Sequence, residues 1–244
     1  MTDVNYTKNI YLARVAEKAD CHEDTIKIME DLIKTKENDL NLEERNILSS
    51  AYKNLVSSRR SAWRSINAVE IKEKNSNSKL VQLITDLKLT LEKELKDLCN
   101  NILKILNEYL IRKAKDNESK IFYLKMKGDY FRYLSEFETD EKKTENIDNA
   151  LNSYKEATDL AEKLPTTHPT KLGLALNYSV FYYEILNDKQ TAFKIASEIF
   201  DMANNQLEKT EENQYKDSLA ILQLLKENIE LWKIKEEIKE DVNQ

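Results

Sequence analysis

Two glycines and two prolines in 244 residues leave this chain few ways to turn. They are Gly128, Gly173, Pro165 and Pro169. Ordinary chains hold roughly 7% Gly and 5% Pro. Sheets need many tight turns, and tight turns depend on those two residues. The shortage therefore predicts an all-α chain of long helices joined by short polar connections. Charged residues make up 34% of the chain and are mixed in sign, which suits the solvated faces of amphipathic helices.

Charge and hydropathy remove several function classes. The net charge is −6, from 38 Lys+Arg against 44 Asp+Glu. General nucleic-acid binding needs a basic surface to displace counterions, so no nucleic-acid partner is expected. No apolar run approaches the roughly 20 residues of a membrane span, so no membrane insertion is expected. The start, Met1-Thr-Asp-Val-Asn-Tyr6, has neither the charge nor the apolar stretch of a signal peptide. Cys21 and Cys99 fit no metal spacing and are expected as reduced thiols in the cytoplasm, with the nucleus also open to the chain.

Periodicity predicts nine helices, at about 3–19, 23–37, 42–73, 79–112, 119–138, 144–164, 169–186, 189–206 and 211–234. Asn41-Leu-Glu-Glu44 matches a capping pattern at the start of the third. Asn75-Ser-Asn-Ser78 is a polar break. His168 stands at the start of the seventh, and Pro169 occupies a first-turn position where its missing N–H does no harm. Thr210 is expected to cap the ninth. Short connections make successive helices antiparallel. Ala150-x-x-x-Tyr154-x-x-Ala157 and Ala192-Phe-x-x-Ala196 echo tetratricopeptide packing, but no steady 34-residue period accompanies them.

Lys53 and Arg60 lie seven residues apart on the third helix, almost two turns, and so share a face. Two cations fixed on a rigid helix suit a compact anion such as phosphate. Taken alone, they read as the solvated face that most surface cations form. His22 and His168 suggest neither a metal site nor a base. No H-E-x-x-H, G-x-S-x-G or phosphate-cradling glycine loop occurs, so no enzyme, metal or cofactor is expected.

Four blocks resemble one known family. Arg45-Asn-Ile-Leu-Ser49 with Ala51-Tyr-Lys-Asn54 looks like the first signature of the 14-3-3 phosphopeptide-binding proteins. Tyr215-Lys-Asp-Ser218 and the run from Gln223 to Trp232 look like the second. Between them, Ser119 to Leu134 and Pro169 to Asn187 are similar to family blocks. The resemblance covers about 41–232 in order, while residues 1–40 resemble the family only loosely.

The resemblance implies a cup-shaped monomer of nine antiparallel helices with an amphipathic groove, related to tetratricopeptide-like arrays. Residues 1–234 would form the domain, with about 1–112 for dimerisation and groove floor, about 119–234 for groove wall, and 235–244 as a charged tail. Lys53, Arg60, Arg132 and Tyr133 match the family's phosphate ligands. Two guanidinium forks, an ammonium and a phenol suit a phosphate of about −1.5 to −2 charges. Asn177 and Asn228 match the asparagines that hold the ligand's backbone, an amide being able to donate and accept. Lys125, Leu176, Val180, Glu184, Ile221, Leu224, Leu231 and Trp232 would line the groove. Glu184 matches an acid that pairs with the groove lysine, while Leu176 and Trp232 also read as ordinary core residues.

The family dimerises through its first helix against the third and fourth of a partner. This implies an interface of Leu12, Val15, Ala16, Lys18, Ala62, Leu87 and Glu94, in a homodimer or a heterodimer with another member. Lys18 and Glu94 match an intersubunit ion pair. About four extra residues precede Arg45, Thr90 and Leu87 replace a usual lysine and tyrosine, and Ala62 replaces a serine whose phosphorylation breaks dimers. The tail composition favours helix, so the ninth helix is expected to run past Trp232, with Glu236, Glu237, Glu240 and Asp241 screening the groove. The implied function is a phosphoserine/phosphothreonine-peptide-binding adaptor that binds phosphorylated client proteins in signalling. The alternative is a phosphate-independent tetratricopeptide-type scaffold.

Overall fold

The computed structural model describes residues 3–76, 79–210 and 212–242. Asn77 and Ser78, within the expected polar break, lie outside them. Among the described residues the chain is all-α, with nine helices and no strand. It divides into two compact units, Met1–Lys115 and Asp116–Gln244.

Unit one holds α1 (Asp3–Lys18), α2 (His22–Thr35), α3 (Leu42–Asn75) and α4. The last runs from Val81 through Ile105, opens into one π turn at Leu106–Leu110 and closes with Ile111–Lys113. Each helix packs on the next. Met29, Leu32, Leu48, Tyr52, Leu95 and Ile102 are fully buried between them. Asn41 caps α3 as the sequence predicts: its side chain accepts from Glu44 N at 2.9 Å, and Glu44 returns to Asn41 N at 2.8 Å. Glu44 does more than cap. Its buried carboxylate also takes Lys36 at 2.5 Å and the hydroxyl of Tyr6, tying α1 and the end of α2 to the start of α3. Lys113 donates to the carbonyls of Ile33 and Lys36, which suits a cation at a helix C-terminus.

Unit two holds α5 (Asn117–Ser135), α6 (Asp140–Ala161), α7 (Pro169–Glu184), α8 (Lys189–Asn204) and α9 (Glu212–Val242). The fifth helix starts two residues earlier than the periodicity suggests, because Asp116 caps it through Ser119 N at 2.7 Å. The sixth starts at Asp140, four residues early. His168 does serve as the cap of α7, its Nδ1 accepting from Thr170 N at 3.2 Å. Ser218 of α9 donates to Thr167 O at 2.7 Å and anchors the last helix to the start of α7.

The closest packing in unit two is α5 against α6. A Cβ placed on Gly128 would come within 2.8 Å of the Tyr154 ring. Gly128 is thus required by proximity and not by backbone conformation. The left-handed backbone positions fall on Asp20, Asp140 and Asn187, with φ of 55°, 53° and 53°. Asp and Asn tolerate that region better than other non-glycine residues. Their use explains how a glycine-poor chain still turns.

The last helix continues past Trp232 to Val242, as the tail composition suggests. Glu236 pairs with Lys189 of α8 at 2.8 Å, which commits it to unit two's own surface. The side chains of Glu240 and Asp241 lie outside the described residues. Cys21 is exposed and Cys99 buried, and neither is in a disulfide. Among the described residues no helix is long and apolar enough to cross a membrane.

Candidate functional site

In unit one, α3 carries Lys53 and Arg60 on one face. Lys53 is exposed and Arg60 half-buried, while Leu48 and Ala51 on the opposite side are fully buried. The alternation follows from the helical period: the α3 residues that face the core leave the two cations facing out.

In unit two, Arg132 sits one turn from the end of α5 and is almost fully buried. Its Nε donates to the Tyr154 hydroxyl at 3.3 Å, and its Nη2 lies 3.6 Å from Asp129 Oδ1. Its guanidinium carbon stands 4.7 Å from the centre of the Tyr133 ring. That ring packs edge-on against Tyr130 at 5.5 Å. Burial works against the charge of Arg132, but Tyr154, Tyr133 and Asp129 more than offset it and hold the pKa well above its usual value. The residue stays cationic at any working pH.

Asp129 is the centre of this arrangement, and it was absent from the sequence-based candidates. Tyr154 donates to its Oδ1 at 2.6 Å and Lys125 to its Oδ2 at 3.0 Å. Asn177 Nδ2, on α7, donates to both oxygens at 2.8 and 2.9 Å. Burial pushes the Asp129 pKa up, but the charges of Lys125 and Arg132 and the Tyr154 hydroxyl outweigh it and lower the pKa below the usual range. Tyr154 is shifted upward, first by burial and then by the Asp129 charge, so it keeps its proton for donation.

Part of this was legible. Asp129 lies four residues after Lys125 and three before Arg132, which is the spacing of neighbours on one helix face. Tyr154 was visible as the tyrosine of the alanine pattern but read only as packing. It does pack, stacking on Tyr178 at 5.2 Å, and its hydroxyl also bridges Asp129 and Arg132.

The remaining candidates separate into exposed and buried sets. On α7, Leu176 and Val180 are half-buried against the α7–α9 core, and Glu184 is exposed. On α9, Leu224 and Leu231 are exposed, Ile221 and Asn228 half-buried. Trp232 is a core residue and not an open groove wall. It is 4% exposed and stacks on Tyr183 with centroids 4.5 Å apart and planes 8° from parallel. Its large apolar area favours this burial. In unit one, Leu12, Val15 and Leu87 are exposed, Ala16 and Ala62 half-buried, and Lys18 exposed. Glu94 is already engaged within its own chain, accepting from Arg59 Nε at 2.7 Å.

The 14-3-3 family model, described as "14-3-3 protein", matches residues 12–233. The chain belongs to the 14-3-3 family. It is 45% identical to 14-3-3 protein homolog 1 of Schistosoma mansoni, over 94% of this chain and 90% of that protein. It is 46% identical to 14-3-3 protein 2 of Entamoeba histolytica, over 91% of this chain and 94% of that one. It is 47% identical to 14-3-3-like protein A of Hordeum vulgare, over 92% and 87% respectively. Members of the 14-3-3 family are adaptors that bind client proteins and dimerise, and they are not enzymes.

Proposed function

We propose that this 14-3-3 chain binds client segments carrying phosphoserine or phosphothreonine. Lys53, Arg60, Arg132 and Tyr133 are the phosphate ligands, and Asn177 and Asn228 hold the ligand's backbone. Lys125, Leu176, Val180, Glu184, Ile221, Leu224 and Leu231 contact the flanking residues. The observation that carries the reading is the setting of Arg132. A buried guanidinium is costly unless its position matters or its partners repay it. Here its Nε donates to Tyr154, the Asp129 carboxylate pairs with it at 3.6 Å, and the ring of Tyr133 lies alongside. That leaves a cation with a fixed orientation and little entropy to lose on meeting a phosphate oxygen.

A dimer belongs to the same proposal. Leu12, Val15 and Leu87 offer exposed apolar surface for it, and two linked sites raise avidity without new contacts. Such an adaptor clamps or masks a client in the cytoplasm or nucleus without catalysing a reaction. Light scattering at micromolar concentration reads the dimer directly, and a monomer mass defeats that part.

The binding test is fluorescence anisotropy with a matched peptide pair, phosphorylated and not, repeated with Lys53→Glu. Only the phosphorylated peptide should bind, and Lys53→Glu should abolish its binding. Equal affinity for both peptides favours a phosphate-independent scaffold instead.

A further inference from the structure

Asn177 and Asp129 are 48 residues apart in sequence, on α7 and α5. Both carboxylate oxygens of Asp129 lie within hydrogen-bond distance of one atom of Asn177, its Nδ2. The direction of this contact is dictated by chemistry. An ionised carboxylate only accepts. Turning the amide over would put Asn177 Oδ1 against two carboxylate oxygens, with no proton between them. The amide therefore has one allowed orientation, with nitrogen toward Asp129 and Oδ1 turned away. The carboxylate is itself held from three other directions, by Lys125, Arg132 and Tyr154.

We propose that Asp129 is a positioning residue that fixes Asn177 as an acceptor, so that Asn177 Oδ1 receives a backbone N–H of the bound peptide. This rests on the peptide-binding reading above and sharpens it. An unconstrained asparagine can meet either a peptide N–H or a peptide C=O, and so tolerates a shift of one peptide group. An asparagine locked as an acceptor rejects the C=O. Asp129 thus sets the register of the ligand's backbone, while Arg132, bound to the same carboxylate, sets the place of the phosphate. One buried charge links the two.

The first measurement needs no ligand. In the free wild-type protein, the Asn177 side-chain amide protons, identified by their absence in Asn177→Ala, should resonate downfield and exchange slowly. In Asp129→Asn they should move to the values of a solvated amide. Solvent-like exchange in the wild type overturns the proposal, whether or not any peptide binds. The second measurement is an ester scan of the phosphopeptide, in which each backbone N–H in turn is replaced by oxygen. One position beside the phosphoresidue should cost the wild type about tenfold in affinity, as expected for one lost hydrogen bond. Asn177→Ala and Asp129→Asn should both lose that discrimination. A flat scan on the wild type, or an unchanged scan in Asp129→Asn, overturns it. A wild-type protein that binds phosphorylated and unphosphorylated peptides alike defeats the phosphate reading, and the amide measurement still decides the role of Asp129.

Discussion

Each unit buries a carboxylate among cations, and the two settings differ in an instructive way. In unit one, Glu70 of α3 takes Lys88 of α4 at 2.5 Å, Thr85 at 2.6 Å and Lys74 at 2.9 Å. In unit two, Asp129 of α5 takes Lys125, Arg132, Tyr154 and Asn177. Glu70 has one partner that reaches in from solvent, Lys74 at 54% exposed, and one that is mostly buried, Lys88 at 17%. Asp129 is partnered by Arg132 and Tyr154, which are themselves buried and can fit only one way. The first arrangement ties two helices together and can exchange partners. The second determines where three candidate ligand-binding groups point. What distinguishes the second setting is that two of the acid's partners, Arg132 and Tyr154, are buried with it.

The sharpest way to break this comparison is to remove one cation from each. Arg132→Ala leaves Asp129 with a single cation in a dry setting and should cost about 3–5 kcal/mol by denaturant unfolding. Lys88→Ala should cost less, about 1–2 kcal/mol, because Lys74 still neutralises Glu70 at 2.9 Å. Equal losses would mean that partner burial does not matter.

Tyr154→Phe tests the neutral link in the buried set. It removes the hydroxyl that serves both Asp129 and Arg132 and should cost about 1–3 kcal/mol. Phosphopeptide affinity should fall with it, as Arg132 loses its orientation. Gly128→Ala probes the same contact from the backbone side. Its methyl meets the Tyr154 ring at 2.8 Å, an overpacking worth about 1–3 kcal/mol.

Lys53→Glu separates binding from stability altogether. Lys53 is exposed, so the midpoint of unfolding should move by no more than about 0.5 kcal/mol. A Tyr154→Phe loss of stability without loss of binding, or a Lys53→Glu loss of both, would reverse the division between the two settings.

The smallest effect is acid sensitivity. Hydrogen bonds from Lys88, Thr85 and Lys74 hold the Glu70 pKa down at about 2. A depressed carboxylate stabilises the fold above its ordinary pKa, and that contribution fades as pH falls toward the folded value. Stability should therefore decline between about pH 4.5 and 2. Glu70→Gln should flatten that part of the curve. A side-chain carboxyl titration followed by NMR reads the same value directly.

Much of this was legible in the sequence, and the reason is local periodicity. The shared face of Lys53 and Arg60, the Asn41 cap and the His168–Pro169 start of α7 all depend on residues within two helical turns. Such relations survive in a string of letters because the helix fixes them. The misreadings fall elsewhere. Trp232 shares a helix with exposed Leu231, and only the packing of Tyr183 decides which of the two is buried. Periodicity puts the start of α6 four residues late because its first turn is charged and carries no apolar signal.

The sequence by itself determined that the chain is helical, where most helices run, and which family it belongs to. It also determined the candidate cations, since their spacing and surrounding blocks are local. The tertiary structure alone decided that the Lys125–Asp129–Arg132 face of α5 meets Tyr154 and Asn177. It also decided that Gly128 is needed for the Tyr154 ring and not for a turn. Those relations bridge 25 to 48 residues. They arise only when separate helices are packed closely enough for a buried charge to require every partner within reach.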